Sequence, residues 1–109
     1  MYCVSEKQSE MEQENKRELI PDEPRVCTNT SLTFTCSDPG NASALQLLVF
    51  MVDFVMIPES ELDRGESNVS YTIPRISTAD TNANVFCGYV NESLEYYEDI
   101  GMAFVTVYS

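Results

Sequence analysis

Four cysteines, Cys3, Cys27, Cys36 and Cys87, and four Asn-x-Ser/Thr tripeptides hold most of the covalent chemistry in this sequence. Thiols either bind metals or form disulfides. The chain has no Cys-x-x-Cys pair and no histidine, so a zinc site would need an irregular all-cysteine ligand set, and disulfides are the better account. Four cysteines admit three pairings, and spacing does not choose among them. The tripeptides are Asn29-Thr30-Ser31, Asn41-Ala42-Ser43, Asn68-Val69-Ser70 and Asn91-Glu92-Ser93. None has proline at its centre, so Asn29, Asn41, Asn68 and Asn91 are candidate glycan acceptors. About one such tripeptide is expected by chance. Four beside a disulfide framework point to an extracellular protein, either secreted or the ectodomain of a membrane protein.

Catalytic chemistry finds no support. Without histidine, neither a Ser-His-Asp nor a Cys-His arrangement can be built. Gly88 and Gly101 stand alone, so there is no phosphate-cradling loop. The carboxylates at Glu98-Asp99 and at Glu59, Glu61 and Asp63 invite a calcium reading, but they lack EF-hand spacing and are expected to be solvated acidic loops. The expectation is a protein that is not an enzyme and carries no cofactor and no metal. A net charge of −12 argues against nucleic acid or an anionic membrane surface as partner. No apolar run reaches the 18 or so residues of a membrane span. The segment Tyr2 to Ile20 is too polar for a signal peptide, so the chain reads as a mature fragment.

The elements that must position these residues divide near Pro24. Residues 1–25 form a polar leader, expected to be helical or disordered: Ser5 is placed to cap a helix ending before Pro21, but the apolar stripe is thin. Residues 26–109 form one domain of short β-prone runs separated by turn chemistry. Leu32, Phe34 and Cys36 alternate with Thr33, Thr35 and Ser37, the pattern of a half-buried strand. Asp38-Pro39-Gly40-Asn41 makes a turn. Residues 44–57 make a strand that bends into a second one, and 58–67 a loop or poor edge strand. Strands follow at 70–76, 85–90 and 102–108, with a turn at 77–84 and a long acidic loop at 91–101.

This order of parts, from about Val26 onward, resembles the immunoglobulin superfamily. The stretch Thr78-Ala79-Asp80-Thr81-Asn82-Ala83-Asn84-Val85-Phe86-Cys87 is similar to the Asp-x-Ala/Gly-x-Tyr-x-Cys signature of that family. It departs in three ways. Val85 stands where the tyrosine corner would be, Asp80 comes one residue early, and the chain has no tryptophan, so Phe50, or next Leu48, is expected to plug the core. The resemblance implies an all-β sandwich of about seven strands, with Cys36 bridged to Cys87 across the two sheets. A bond between Cys3 and Cys27 would then tie down the leader.

With Cys87 and Phe50 facing in, Leu47, Val49, Met51, Phe86 and Val90 face out on the sheet that the family letters G-F-C, with Tyr96 and Tyr97 at its rim. Such a patch marks a protein-binding face. Glycans at Asn41 and Asn91 would crowd one end of the sandwich and favour binding through the sheet. The resulting expectation is an extracellular recognition domain for adhesion or receptor–ligand contact, whose partner is another protein or a second copy of the chain. A secreted or viral decoy that modulates immunity is the alternative, and a structural module of a multidomain ectodomain is the third.

Overall fold

A computed structural model of the chain describes residues 17–40, 47–93 and 95–108. Ten strand segments are present: β1 (Glu18–Ile20), β2 (Arg25–Cys27), β3 (Leu32–Ser37), β4 (Leu48–Val52), β5 (Val55–Met56), β6 (Leu62–Arg64), β7 (Asn68–Ile73), β8 (Asn84–Val90), β9 (Tyr96–Phe104) and β10 (Thr106–Tyr108). No α-helix occurs among the described residues. One sheet runs β1-β3-β7-β6 and the facing sheet β5-β4-β8-β9, with antiparallel neighbours throughout. A parallel pair, β10 with β2, lies at the margin where the chain crosses between sheets. This is the all-β sandwich expected. The segment count exceeds seven because β1 and β2 were not foreseen and because β5 and β6 are very short edge strands.

Period-two alternation builds the core. Leu32, Phe34 and Cys36 point inward from β3, Val69 from β7, Leu48 and Phe50 from β4, and Val85, Cys87 and Tyr89 from β8. Phe50 is the cross-strand partner of Cys87 and lies 5.9 Å from the Tyr71 ring, so it occupies the plug position left by the missing tryptophan. The Cys36–Cys87 disulfide joins the two sheets with a Cα–Cα distance of 6.4 Å, closing a sequence separation of 51 residues. A loop of that length is worth about 4 kcal/mol in the chain-entropy account. Cys27 is also disulfide-bonded, whereas Cys3, its expected partner, lies outside the described residues.

Two boundaries differ from the sequence expectation. Glu18–Ile20, assigned above to the leader, is a strand that pairs with β3 and buries Leu19 in the core. Gly101 makes this possible, since a Cβ there would stand 2.9 Å from Leu19 Cβ. The sandwich therefore includes Glu18–Ile20, ahead of Val26; residues 1–16 are outside the described part. Second, the stretch 96–101, read as part of an acidic loop, is extended and belongs to β9. Pairing with β8 overrides its polar composition, and the register absorbs the mismatch with two bulges, between Cys87 and Gly88 and between Tyr89 and Val90.

The absent tyrosine corner has a substitute. The hydroxyl of Tyr89, two residues after Cys87, donates to Asp38 Oδ2 at 2.8 Å in the interior. Asp38 is the one buried charged residue among the described positions. Arg17 approaches the same carboxylate at 3.4 Å and also pairs with Glu98 on β9, which links the two sheets near the N-terminal strand. Asp80, displaced from the family signature, closes a capping box instead: the Ser77 backbone N–H donates to Asp80 Oδ2 at 2.7 Å, and Ser77 Oγ accepts from the Ala79 N–H at 3.2 Å.

Candidate functional site

The outer face of the β5-β4-β8-β9 sheet follows from the register. Phe50 and Cys87 are partners and fully buried, so Met51 and Phe86, the next pair, point away from the core. Met51 also faces Met56 on β5, and Phe86 faces Met102 on β9. The row Met56, Met51, Phe86, Met102 therefore crosses all four strands on one side. Phe104 shares that side of β9 and pairs with Asn84. Met102 is 52% exposed and Phe104 42%, while Met51, Met56 and Phe86 are half-buried.

The turn between β4 and β5 extends this surface. Its two central residues, Asp53 and Phe54, have φ of 50° and 69°, the pattern of the tight hairpin turn that usually takes Asn-Gly or Asp-Gly. Asp53 secures it by accepting the Asn84 N–H on Oδ1 at 3.0 Å and donating its own N–H to Asn84 O at 2.9 Å. Phe54 thus occupies a left-handed position that a β-carbon disfavours. Its ring lies 5.3 Å from that of Phe86, yet it is 74% exposed. Val55 is also largely exposed, but it pairs with Val52 on the other side of the sheet from Met51 and Met56. The patch itself is uncharged. Asp53 borders it on the turn, and beside Phe104 the Asp22 backbone carbonyl accepts the Phe104 N–H at 2.9 Å.

The other half of this face is closed. Val49 and Val90, expected to be exposed, are buried at 7% and 1%. The cause is Tyr96. At the bulge that skips Tyr97, its side chain lies back over Gly88, the partner of Val49; a Cβ at Gly88 would collide with the Tyr96 ring and hydroxyl and with the Glu98 carbonyl. The Tyr96 hydroxyl donates to Asp99 Oδ1 at 2.7 Å. Burial, together with this bond and the nearby Asp99 charge, pushes its pKa well above the ordinary tyrosine value. Leu47, also expected to face out, is half-buried and packs against the core. Tyr97 does not join the face either: its ring lies 6.5 Å from that of the inward-pointing Tyr89. Of the seven predicted face residues, Met51 and Phe86 sit in the open patch, and Tyr96 covers its neighbour. Phe54, Met56, Met102 and Phe104 were not among those seven.

The acidic segments are accounted for by ordinary surface contacts. Arg64 donates twice to the Glu59 carboxylate, each at 2.6 Å, and this bond holds the Glu59 pKa below its usual value. Among the described residues no group of carboxylates and cysteines is placed to hold a metal ion, and no helix is long and apolar enough to cross a membrane. Asn29 is exposed in a left-handed position on the β2–β3 loop. Asn68 begins β7, and its neighbour Val69 points into the core, which leaves Asn68 on the outside of the opposite sheet. Asn91 lies beyond the end of β8; its Oδ1 accepts the Ser93 and Glu95 N–H groups at 2.9 and 3.0 Å. Asn41 is outside the described residues. None of the three described sequons lies on the Met51–Phe86–Met102 face.

No protein-family model matches the sequence, and no curated protein matches it. Solved structures do. An immunoglobulin domain in the complex of titin with obscurin-like 1 aligns at 16% identity over 77% of this chain and 83% of that chain, with a TM-score of 0.54. A mutant form of the same complex aligns at 15% identity over 80% and 84%, again with a TM-score of 0.54. The immunoglobulin-like domain of human obscurin-like protein 1 aligns at 7% identity over 93% and 96%, with a TM-score of 0.50. Identities this low speak for shared architecture alone.

Proposed function

The chain has an immunoglobulin-like fold, and on that premise we propose that it is an extracellular recognition domain that binds another protein through the outer face of the β5-β4-β8-β9 sheet. The observation that carries this reading is the apolar row of Phe54, Met102 and Phe104, exposed around a half-buried Phe86, on a protein of net charge −12. Contiguous apolar surface of this kind is uncommon on a soluble domain and marks a partner site. Aromatic and methionine side chains are favoured at such sites, and thioethers adapt to the facing surface. The sequons support the same face, since glycans at Asn29, Asn68 and Asn91 leave it clear. The Cys36–Cys87 disulfide and the sequon count support the extracellular setting. Two of the structural neighbours are themselves members of a protein complex.

Met102 and Phe104 are exposed, so charging them tests binding without opening the core. Fluorescent tetramers of the chain, applied to cells that display individual receptor ectodomains, should stain a partner-bearing line. Met102→Glu or Phe104→Glu should weaken that binding about thirtyfold, a hot-spot loss of about 2 kcal/mol, with the circular dichroism spectrum unchanged. Full binding by both variants would rule out this face.

A further inference from the structure

We propose that Tyr97 is a site of O-sulfation, taking a sulfo group from an activated sulfate, a mixed sulfate–phosphate anhydride, under a transferase of the secretory pathway. The proposal rests on the extracellular reading above, because that chemistry belongs to the secretory route.

Three observations meet at Tyr97. First, its flanks are acidic on both sides, Glu95 before and Glu98 and Asp99 after, with Glu92 close by in the connecting loop. A transferase that holds an anionic donor is lined with cations, and a local run of carboxylates steers the acceptor toward it. Second, Tyr97 is 59% exposed, and its hydroxyl has no hydrogen-bond partner among the described residues. Third, it lies on β9, the terminal strand of its sheet, at a bulge that leaves it outside the β8–β9 ladder. The segment is therefore already extended, and the bulge leaves Tyr97 without a cross-strand partner on β8.

The chain supplies its own controls. Tyr96 has the same acidic flanks but lies over Gly88 and donates to Asp99, so its oxygen is committed. Tyr108 is 44% exposed but follows Val107 and has no acidic flank. Tyr89 is buried on Asp38. Only Tyr97 among the described tyrosines combines exposure, a free hydroxyl and acidic neighbours.

In the transfer, the phenolic oxygen of Tyr97 attacks sulfur and a new O–S bond forms. The bond from sulfur to the bridging phosphate oxygen breaks, and the phosphate leaves with its electron pair. The phenolic proton passes to a base on the transferase, and nothing is oxidised or reduced. The product adds a fixed anion to an already acidic rim.

The purified, disulfide-bonded chain, incubated with a tyrosine sulfotransferase and labelled activated sulfate, should take up label in the peptide that carries Tyr96 and Tyr97. Tyr97→Phe, which keeps the ring, should lose the label; Tyr96→Phe and Tyr108→Phe should keep it. No label, or label that survives Tyr97→Phe, overturns the proposal. In parallel, the chain secreted from animal cells should show one added sulfo group on that peptide, resistant to phosphatase. A phosphatase-sensitive group at Tyr97 would overturn sulfation in favour of phosphorylation. A secreted, glycosylated chain without the group would overturn it while leaving the extracellular reading intact; a chain that acquires neither glycans nor disulfides on that route would sink the reading itself.

Discussion

At Phe54 backbone stability and the proposed binding role pull in opposite directions. Its left-handed φ of 69° costs about 1 kcal/mol relative to a glycine. Its contact with Phe86 returns about the same amount, 0.5–1.5 kcal/mol, at a site where most of the ring faces water. A side chain kept in a disfavoured backbone position and left exposed points to selection for what it touches outside the molecule. Phe54→Gly should therefore leave the unfolding free energy within about 1 kcal/mol of the parent, while partner binding falls tenfold or more. A loss of stability beyond about 2 kcal/mol in chemical denaturation would make Phe54 a structural residue instead. Tyr89 is the opposite case. Its hydroxyl reaches a buried carboxylate, and hydrogen bonds to charged groups contribute about 1.5–3 kcal/mol. Tyr89→Phe should lower stability by that amount without altering binding to the outer face, since the ring points inward.

Strands β8 and β9 decide how much of the sheet is open; β8 falls where the sequence places it, whereas the first half of β9 does not. The alternation around Cys36 is plain because apolar and polar residues trade places every second position, and the structure places β3 as that pattern requires. A bend within residues 44–57 is expected from the sequence, but its place at Asp53-Phe54 is not marked, because the turn lacks glycine. The upper half of β9 was hidden because its carboxylates resemble a loop; its extended form comes from pairing with β8, a long-range term that no local window contains. Val49 and Val90 were placed on the correct side of their strands but not under Tyr96, because side-chain cover depends on a bulge. Gly88 is the hinge of that arrangement. Gly88→Ala must displace the Tyr96 ring and press on the Glu98 carbonyl, and overpacking of this sort costs about 1–3 kcal/mol. The expected result is a lower denaturation midpoint, with Tyr96 more accessible to acrylamide quenching. An unchanged midpoint would mean that Tyr96 does not lie over Gly88 in solution.

At the scale of the whole molecule, an excess of negative charge sets how the fold responds to pH and salt. Tyr96 and Tyr71 both hold their protons more tightly when folded. Burial is the main cause in each, reinforced for Tyr96 by its bond to Asp99 and for Tyr71 by the charges of Glu61 and Asp80. A folded pKa above the unfolded value of 10.0 leaves stability intact below that pH and removes it as pH climbs past it, because the unfolded chain then sheds protons that the folded chain retains. Each phenolate formed also adds to a net charge of −12, so self-repulsion pushes the same way. On the acid side the one resolved shift among the described residues is opposite in sign: Glu59 is held low by Arg64, and its contribution is present above its ordinary 4.5 and fades as pH falls below it. That pair is exposed, so its loss should be slight. Denaturant midpoints should accordingly fall between about pH 9 and about pH 11, and Tyr96→Phe should flatten the decline. Raising ionic strength to about 1 M at neutral pH, where the screening length shrinks to about 3 Å, should raise the midpoint, since the charges it weakens are mostly of one sign. A midpoint that falls with salt would mean that ion pairs such as Arg17 with Asp38 outweigh the net repulsion.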